Sequence, residues 1–546
     1  MKLFKILCVL ALALCITGSV YAETQSVKVS GDLTMRGIYR DNYTLVNDVN
    51  ENFFANGGLP GVDGTNQSFA MTVAEVEVDA DLTDNVSTVI RMLNQRDWNV
   101  YTNYNQGALS NDMRTNGRGG YMPNSSEFDI TIDLAYVQLK NFIYSPLTVT
   151  IGRQDLWFGK GFIIGANQQN PGNLWSYVAP RVALNNTPLN GTVNTLTPAG
   201  NLSAPEYTAI NSFDAVKAVL DYDPWTITSF YSSIYNDSVQ ARDNVDLWGV
   251  NVGHQFDKYN GEAEAYWFYK ADRQVAVVAE GLKNNTNDVH TVGLRGSFDP
   301  VSWVTLAGEG AMQGGEYVAN SMQSSSRGRL AMALDFSGEV RYFTDKYAWK
   351  PKFGAEYIFY SGNKPEDDMS TIPPTNDPHR FTNGTYTGWN SMYRGKYDSA
   401  IREFVGKFYA TSRYPSRRNY VQSVADDSRT NQNQVIFMGS VQPIDSVTLK
   451  ANYNLFWNQY AYVNSAPTQG LPGTNYGQGW DKTQGWIGQE IDLTANWDYT
   501  EDVSFNLLAG WFVPGEVYHV DSIPMVAQTG GIDTATDIVA SVKVSF

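Results

Sequence analysis

Ala70-Met71-Thr72-Val73-Ala74-Glu75-Val76-Glu77-Val78-Asp79-Ala80-Asp81-Leu82 sets Ala74, Val76, Val78, Ala80 and Leu82 against Glu75, Glu77, Asp79 and Asp81. Strict period two belongs to an extended strand with one apolar and one charged face. One face suits lipid, the other water. Thr83-Asp84-Asn85 then makes a tight turn, and Val86 to Gln95 runs back.

The pattern recurs on both sides of this hairpin. Upstream, Val27, Val29, Leu33, Met35 and Tyr39 oppose Lys28, Ser30, Asp32, Thr34, Arg36 and Arg40. Downstream, Leu330, Met332, Leu334, Phe336, Val340 and Tyr342 oppose Arg329, Asp335, Glu339 and Arg341. At the end, Ile538, Ala540, Val542, Val544 and Phe546 oppose Asp537, Ser541, Lys543 and Ser545. Further strands are expected at 127–141, 147–155, 208–222, 224–235, 244–256, 260–272, 287–298, 303–315, 349–361, 433–443, 446–459, 487–500 and 502–514. The total is about 18, an even number as bacterial barrels require.

Lys2 and Lys5 precede an apolar run from Ile6 to Ile16, and Val20-Tyr21-Ala22 precedes Glu23. This reads as a secretory signal peptide over 1–22, cleaved near Ala22, with 23–546 as one barrel domain. Leu7 before Cys8 and Leu14 before Cys15 argue against lipidation, and both cysteines of the chain lie in the signal. After it, no segment approaches the roughly 20 apolar residues of a membrane helix, so any span must be strand. Mean hydropathy is −0.32. Without Lys2 and Lys5, 37 basic residues face 56 acidic ones, a net charge of −19 that argues against nucleic-acid binding. The 33 Tyr and 14 Trp exceed what a soluble core needs, and interface girdles would use them.

Short turns such as Asp223-Pro224, Asp257-Lys258-Tyr259, Asp299-Pro300 and Ile444-Asp445 alternate with longer loops. Short turns belong in the periplasm and long loops outside, which returns both termini to the periplasm. The expected fold is all-β: a transmembrane antiparallel barrel with long loops at 98–126, 156–207 and 362–432, the lengths at which loops usually carry function.

Several landmarks fall in a fixed order: Gly152-Arg153-Gln154, then Phe158-Gly159 and Ile164-Gly165; Asn211-Ser212-Phe213-Asp214-Ala215-Val216; Tyr357 with Ser361-Gly362-Asn363. Pro443 with Asp445 and Thr448-Leu449 follow, then Gly488-Gln489-Glu490-Ile491-Asp492 and Phe512-Val513-Pro514-Gly515. As a set they resemble the alginate-export family of outer-membrane porins, from about Gly152 onward. Asn211, Asn363 and Lys160-Gly161-Phe162 depart from that family's usual Arg, Asp and Asp-Gln-Arg-like residues. The resemblance implies an anion or saccharide porin whose terminal Phe546 is read by the barrel-insertion machinery.

The wall itself reads as mixed in charge. Lys28, Arg36, Arg91, Lys217, Arg295, Arg329, Arg341, Lys352 and Lys450 are expected to point inward beside Glu75, Glu77, Asp79, Glu262, Glu264, Glu309, Glu339, Glu356 and Asp492, with Glu490 among the pore-lining carboxylates. Cross-strand ion pairs that stiffen the barrel would use such residues, and so would a selectivity ring at a constriction. Arg153 reads either as clamped by a lumen carboxylate or as a substrate-facing guanidinium whose fork matches a carboxylated sugar. In the longest loop, Arg394, Lys396, Arg402, Lys407, Arg413, Arg417 and Arg418 are interleaved with Tyr393, Tyr397, Phe404, Phe408, Tyr409, Tyr414 and Tyr420. That composition fits a loop gate or a solvated loop packed by its own aromatics.

Chemistry for catalysis is sparse. His254, His290, His379 and His519 lack metal-ligand spacing, and no Gly-x-Ser-x-Gly elbow occurs. Glu366-Asp367-Asp368 with Asp377 lacks the spacing of a calcium loop. No enzyme, cofactor or metal is expected. The expectation is passive diffusion of a hydrophilic solute, with polysaccharide export alongside periplasmic components and a plugged surface receptor or adhesin as alternatives. Outer-membrane lipid and lipopolysaccharide would surround it.

Overall fold

The computed structural model describes residues 25–43, 66–98, 130–166, 204–235, 244–273, 286–317, 327–344, 346–362, 385–395, 399–402, 430–462, 484–515 and 533–546. Among these, eighteen strands follow one another in a single antiparallel sheet. They are β1 (Ser26–Asp41), β2 (Asn66–Thr83), β3 (Val86–Asp97), β4 (Thr131–Leu139), β5 (Leu147–Gln154), β6 (Phe213–Tyr222), β7 (Trp225–Tyr235), β8 (Val245–Phe256) and β9 (Gly261–Asp272). The second half comprises β10 (Asn287–Val301), β11 (Val304–Tyr317), β12 (Arg327–Val340), β13 (Lys352–Tyr360), β14 (Gln432–Ile444), β15 (Val447–Tyr462), β16 (Gln484–Asp498), β17 (Val503–Pro514) and β18 (Ala535–Ser545). Each strand pairs with its sequence neighbour, and β1 pairs with β18 from Asp32↔Ser545 to Asp41↔Thr536. The sheet therefore closes and leaves no free edge, which is what a strand-built membrane span demands. No helix among the described residues is long and apolar enough to cross a membrane.

The register divides the two faces as the alternation predicts. Thr34, Arg36 and Ile38 pair with Val73, Met71 and Phe69 on one side, while Val27 and Val29 meet Ala80 and Val78 on the other. Val27, Val29, Leu294, Met312, Leu330 and Phe336 are exposed, forming an apolar outer band. Aromatic contacts flank it. Trp303 stacks edge-on with Tyr342 and Trp497 lies over Phe505 near the short turns, whereas Trp248, Tyr269 and His290 stack in a row near the long-loop end. Rings with an apolar body and a polar tip suit such a boundary.

Gly152-Arg153-Gln154 has a local physical cause. Gly152 adopts φ +125°, and a Cβ there would run into the Ala135 carbonyl, so only glycine keeps β5 against β4. The register runs through Gly152 unbroken, and the buried Gln154 Nε2 donates to the Thr150 and Gly152 carbonyls at 3.2 Å and to that of Ala215 at 3.0 Å. Residues 208–212, expected in the wall, instead belong to a segment turned into the barrel. Ser212 Oγ donates to Asp133 Oδ1 at 2.8 Å, and Thr208 Oγ1 donates to Gln95 Oε1 at 2.8 Å.

Part of the inner wall departs from a polar lining. Toward the long-loop end, inward positions carry Phe213, Phe230, Leu247, Phe268, Ile358, Tyr360 and Ile436, all buried. They pack against Leu156, Phe162, Ile163 and Ile164 of one infolded segment and Trp389, Met392 and Tyr393 of another. A smaller cluster joins Ile38, Met71, Val73, Leu93 and Val539 of the wall to Ala204 and Ile210. Each fully buried large apolar side chain contributes about 1.5–3 kcal/mol, which is ample to hold a loop inside a barrel.

Candidate functional site in the barrel lumen

Four segments enter the lumen among the described residues: 155–166, 204–212, 385–395 and 399–402. The first leaves β5 and crosses to the far wall. Phe158 stacks on Phe230 of β7 at 5.2 Å and lies 5.2 Å from Phe268 of β9. Phe162 stacks on Tyr360 of β13 at 5.5 Å. Between them Lys160 Nζ donates to Ser337 Oγ of β12 at 2.8 Å and lies 4.0 Å from Glu356 of β13. This span narrows the pore, and Lys160 is its charged tip.

The third segment is built onto Ser361-Gly362. The Ser361 carbonyl accepts the Trp389 N–H at 2.9 Å, and Ser361 Oγ donates to the Thr387 carbonyl at 2.7 Å. The Gly362 N–H donates to Gln459 Oε1 at 2.7 Å, and its carbonyl accepts Thr387 Oγ1. Arg329 donates to the Gly388 carbonyl at 3.2 Å and Asn287 Oδ1 at 3.1 Å, with its guanidinium 5.1 Å from the Tyr386 ring. The Tyr393 carbonyl then accepts the N–H groups of Gly165 and Ala166, tying this segment to the first.

Glu490 holds the fourth segment. It is 0% exposed, and its carboxylate accepts the N–H groups of Ala400, Ile401 and Arg402 at 2.8, 3.1 and 2.7 Å. Asp492 accepts Asn454 Nδ2 at 3.1 Å in the same network. Both were expected to line the pore; Glu490 instead anchors a loop. Arg402 is also buried, 6.0 Å over Phe456, and Arg394, in the third segment, is half-buried. Arg402 thus packs inside the barrel and not in a solvated loop above it. Arg413 and Arg417 lie outside the described residues, as do residues 1–22 and the acidic stretch Glu366-Asp367-Asp368.

Arg153 corrects the expectation of a pore-lining guanidinium. It shares a face with Ile151, pairs in register with Asp214 beside Val216, and its Nη1 lies 3.4 Å from Asp214 Oδ2. Ile151 and Val216 are exposed members of the outer band, so the Arg153–Asp214 pair sits on the outside. The two landmarks that contain them meet as adjacent strands.

The remaining wall cations mostly face in and mostly have partners. Arg91 is held by Asp133 through Nε at 3.0 Å and a second short contact, with Glu77 and Asp155 each 3.9 Å away. Lys217 Nζ donates to the Asp155 carbonyl at 3.3 Å. Arg295 is bracketed by Glu262 at 2.5 Å and by Glu264. Arg36 lies 4.9 Å over the ring of Tyr207 in the second segment, whose Glu206 pairs with the buried Arg40. Arg341 sits just beyond β12 at the short-turn rim, 3.4 Å from Asp299. Lys352 opens β13 opposite Ser440 and is exposed.

Sequence reading did not single out Lys160 or Trp157 as site residues, nor Glu206, Tyr207 and Tyr386. Their partners come from distant strands; Lys160 and Ser337 are 177 residues apart.

The profile of the alginate export family matches residues 203–527. The solved structure of OccAB1 from Acinetobacter baumannii is 9% identical, with 97% of this chain and 99% of that one covered and a TM-score of 0.46. OpdL from Pseudomonas aeruginosa is 8% identical over 95% and 99%, with a TM-score of 0.45. OmpT of Vibrio cholerae is 9% identical over 96% and 100%, with a TM-score of 0.35. No curated protein matches this chain in sequence. The match over well more than half of the residues takes in the Ser361-Gly362 hub, the Glu490 anchor and most of the closed wall. On that ground the chain, a barrel of the outer-membrane porin type, belongs to the alginate export family.

Proposed function

We propose that the chain is a passive outer-membrane channel through which a hydrophilic solute, anionic or saccharide, diffuses down its gradient. The observation that carries the reading is the contrast between the two halves of the lumen. Toward the short turns the inward positions Lys28, Asp79, Lys352 and Lys450 are exposed and mixed in charge. Toward the long loops the lumen is filled by packed segments, with the Lys160 span between. A wet, charged vestibule behind a narrow, loop-built constriction is the arrangement by which pores select on size and charge. In this reading the long loops face the exterior, the short turns the periplasm, and Lys160, Arg295, Glu356, Arg91 and Lys217 border the path. Both signs of charge suit weak selectivity better than a dedicated polyanion tunnel, which would need a dominant positive field. Family membership also favours a second reading, polysaccharide export with periplasmic partners. Swelling of proteoliposomes in sugars of graded size tests the first. Uptake should fall off with size from mono- to tetrasaccharide; no swelling with any sugar would sink it.

A further inference from the structure

We infer that Trp157 is a stacking platform inside the barrel for the apolar face of a pyranose ring, an assignment that rests on the channel reading above. Trp157 is 53% exposed, although Leu156 before it is buried in the interior core and Phe158 after it packs on the inner-wall residues Phe230 and Phe268. It is therefore an open indole within the barrel and not part of the lipid-facing girdles. An aromatic with an apolar face and a polar tip suits a site that is wet on one side and packed on the other.

Its setting is built for a flat ring. Nε1 donates to the Gly159 carbonyl at 3.0 Å. Three glycines lie against the six-membered ring: a Cβ on Gly161 would come 2.6 Å from Cζ2, one on Gly165 2.9 Å from Cε3, and one on Gly395 2.6 Å from Cζ3. The Gly395 N–H donates to the Gly161 carbonyl at 2.9 Å, so two infolded segments make one side-chain-free floor. An indole laid on such a floor loses little further freedom when a ligand covers its other side.

The border of the platform is polar. Asp155, two residues before Trp157 in the same infolded segment, is exposed as Trp157 is, whereas Leu156 between them enters the core. Lys217 and Arg91 gather at Asp155. A pyranose carries C–H groups on its faces and hydroxyls around its edge, and an aromatic face in a segment that also carries charged groups can meet both. Trp157 precedes the residues matched by the family profile, which begins at 203.

The test is block of ion current through the full-length protein in a planar bilayer by a neutral glucose hexamer, with sorbitol at matched viscosity as the ring-free control. The hexamer should block the wild type at concentrations where sorbitol does not. Trp157→Ala should raise the half-blocking concentration about tenfold, with open-channel conductance not lowered, and Trp157→Phe should recover most of the affinity. Equal block of wild type and Trp157→Ala, or a conducting wild type indifferent to the hexamer, overturns the platform alone. Absence of any conductance overturns the channel reading and the platform with it.

Discussion

Glu490→Ala is expected to release residues 399–402 from the lumen. The wild-type carboxylate, itself fully buried, is the acceptor for three consecutive N–H groups, two of them on buried residues. Leaving a buried donor unsatisfied costs about 1–3 kcal/mol, and here three lose their partner together. That exceeds what the buried Ile401, the main apolar contact among these residues, regains by staying docked. Amide exchange at Ala400 to Arg402 should then accelerate by about 10- to 100-fold, and single-channel conductance should rise. Glu490→Gln, which keeps one acceptor oxygen, should fall between. Unchanged exchange in Glu490→Ala would mean that the segment is held by other contacts.

The second large effect is expected at Lys160. Its Nζ reaches Ser337 and Glu356 on β12 and β13, while its own segment leaves the wall after β5, seven strands away from β12. Lys160→Ala removes both the tip of the span and a positive charge from a region that also contains Glu309, Asp335 and Glu356. A unit charge acting on a passing ion at about 5 Å in water is worth close to 0.8 kcal/mol, repelling a cation and attracting an anion, so each permeability should shift about fourfold in opposite directions and the cation-to-anion ratio should rise by up to about 16-fold. The change should be clear at low ionic strength and fade near 1 M salt, where screening reaches only about 3 Å. Reversal potentials across a salt gradient measure it. A permeability ratio that stays the same at low salt would place the constriction elsewhere.

Much of the barrel was legible because period two is a direct consequence of the pleat. Residues 70–82 and 330–342 declared their two faces, and the even strand count followed from tight turns such as Thr83-Asp84-Asn85. The same rule, carried back from Ile151, sets Arg153 outward; proximity to a long loop suggested the opposite and misled. Periodicity distinguishes two faces, but the inner face was assumed to be polar. Phe213, Phe268, Ile358 and Tyr360 break that assumption because infolded loops supply the apolar partners that water cannot. Nothing local to Leu156-Trp157-Phe158 or to Ser361-Gly362 announces those partners, since they sit on other strands or on infolded segments placed only by the folded barrel. Glu490 was legible as a lumen-side carboxylate, but its role depends on N–H groups about ninety residues earlier.

The central claim, a conducting pore narrowed by its own loops, is tested most directly by single-channel recording of the purified full-length protein in a planar bilayer, with heat-modifiable migration on a gel as proof of folding. Discrete conductance steps with weak ion selectivity are the predicted result. A folded, heat-modifiable protein that leaves the bilayer silent would contradict it.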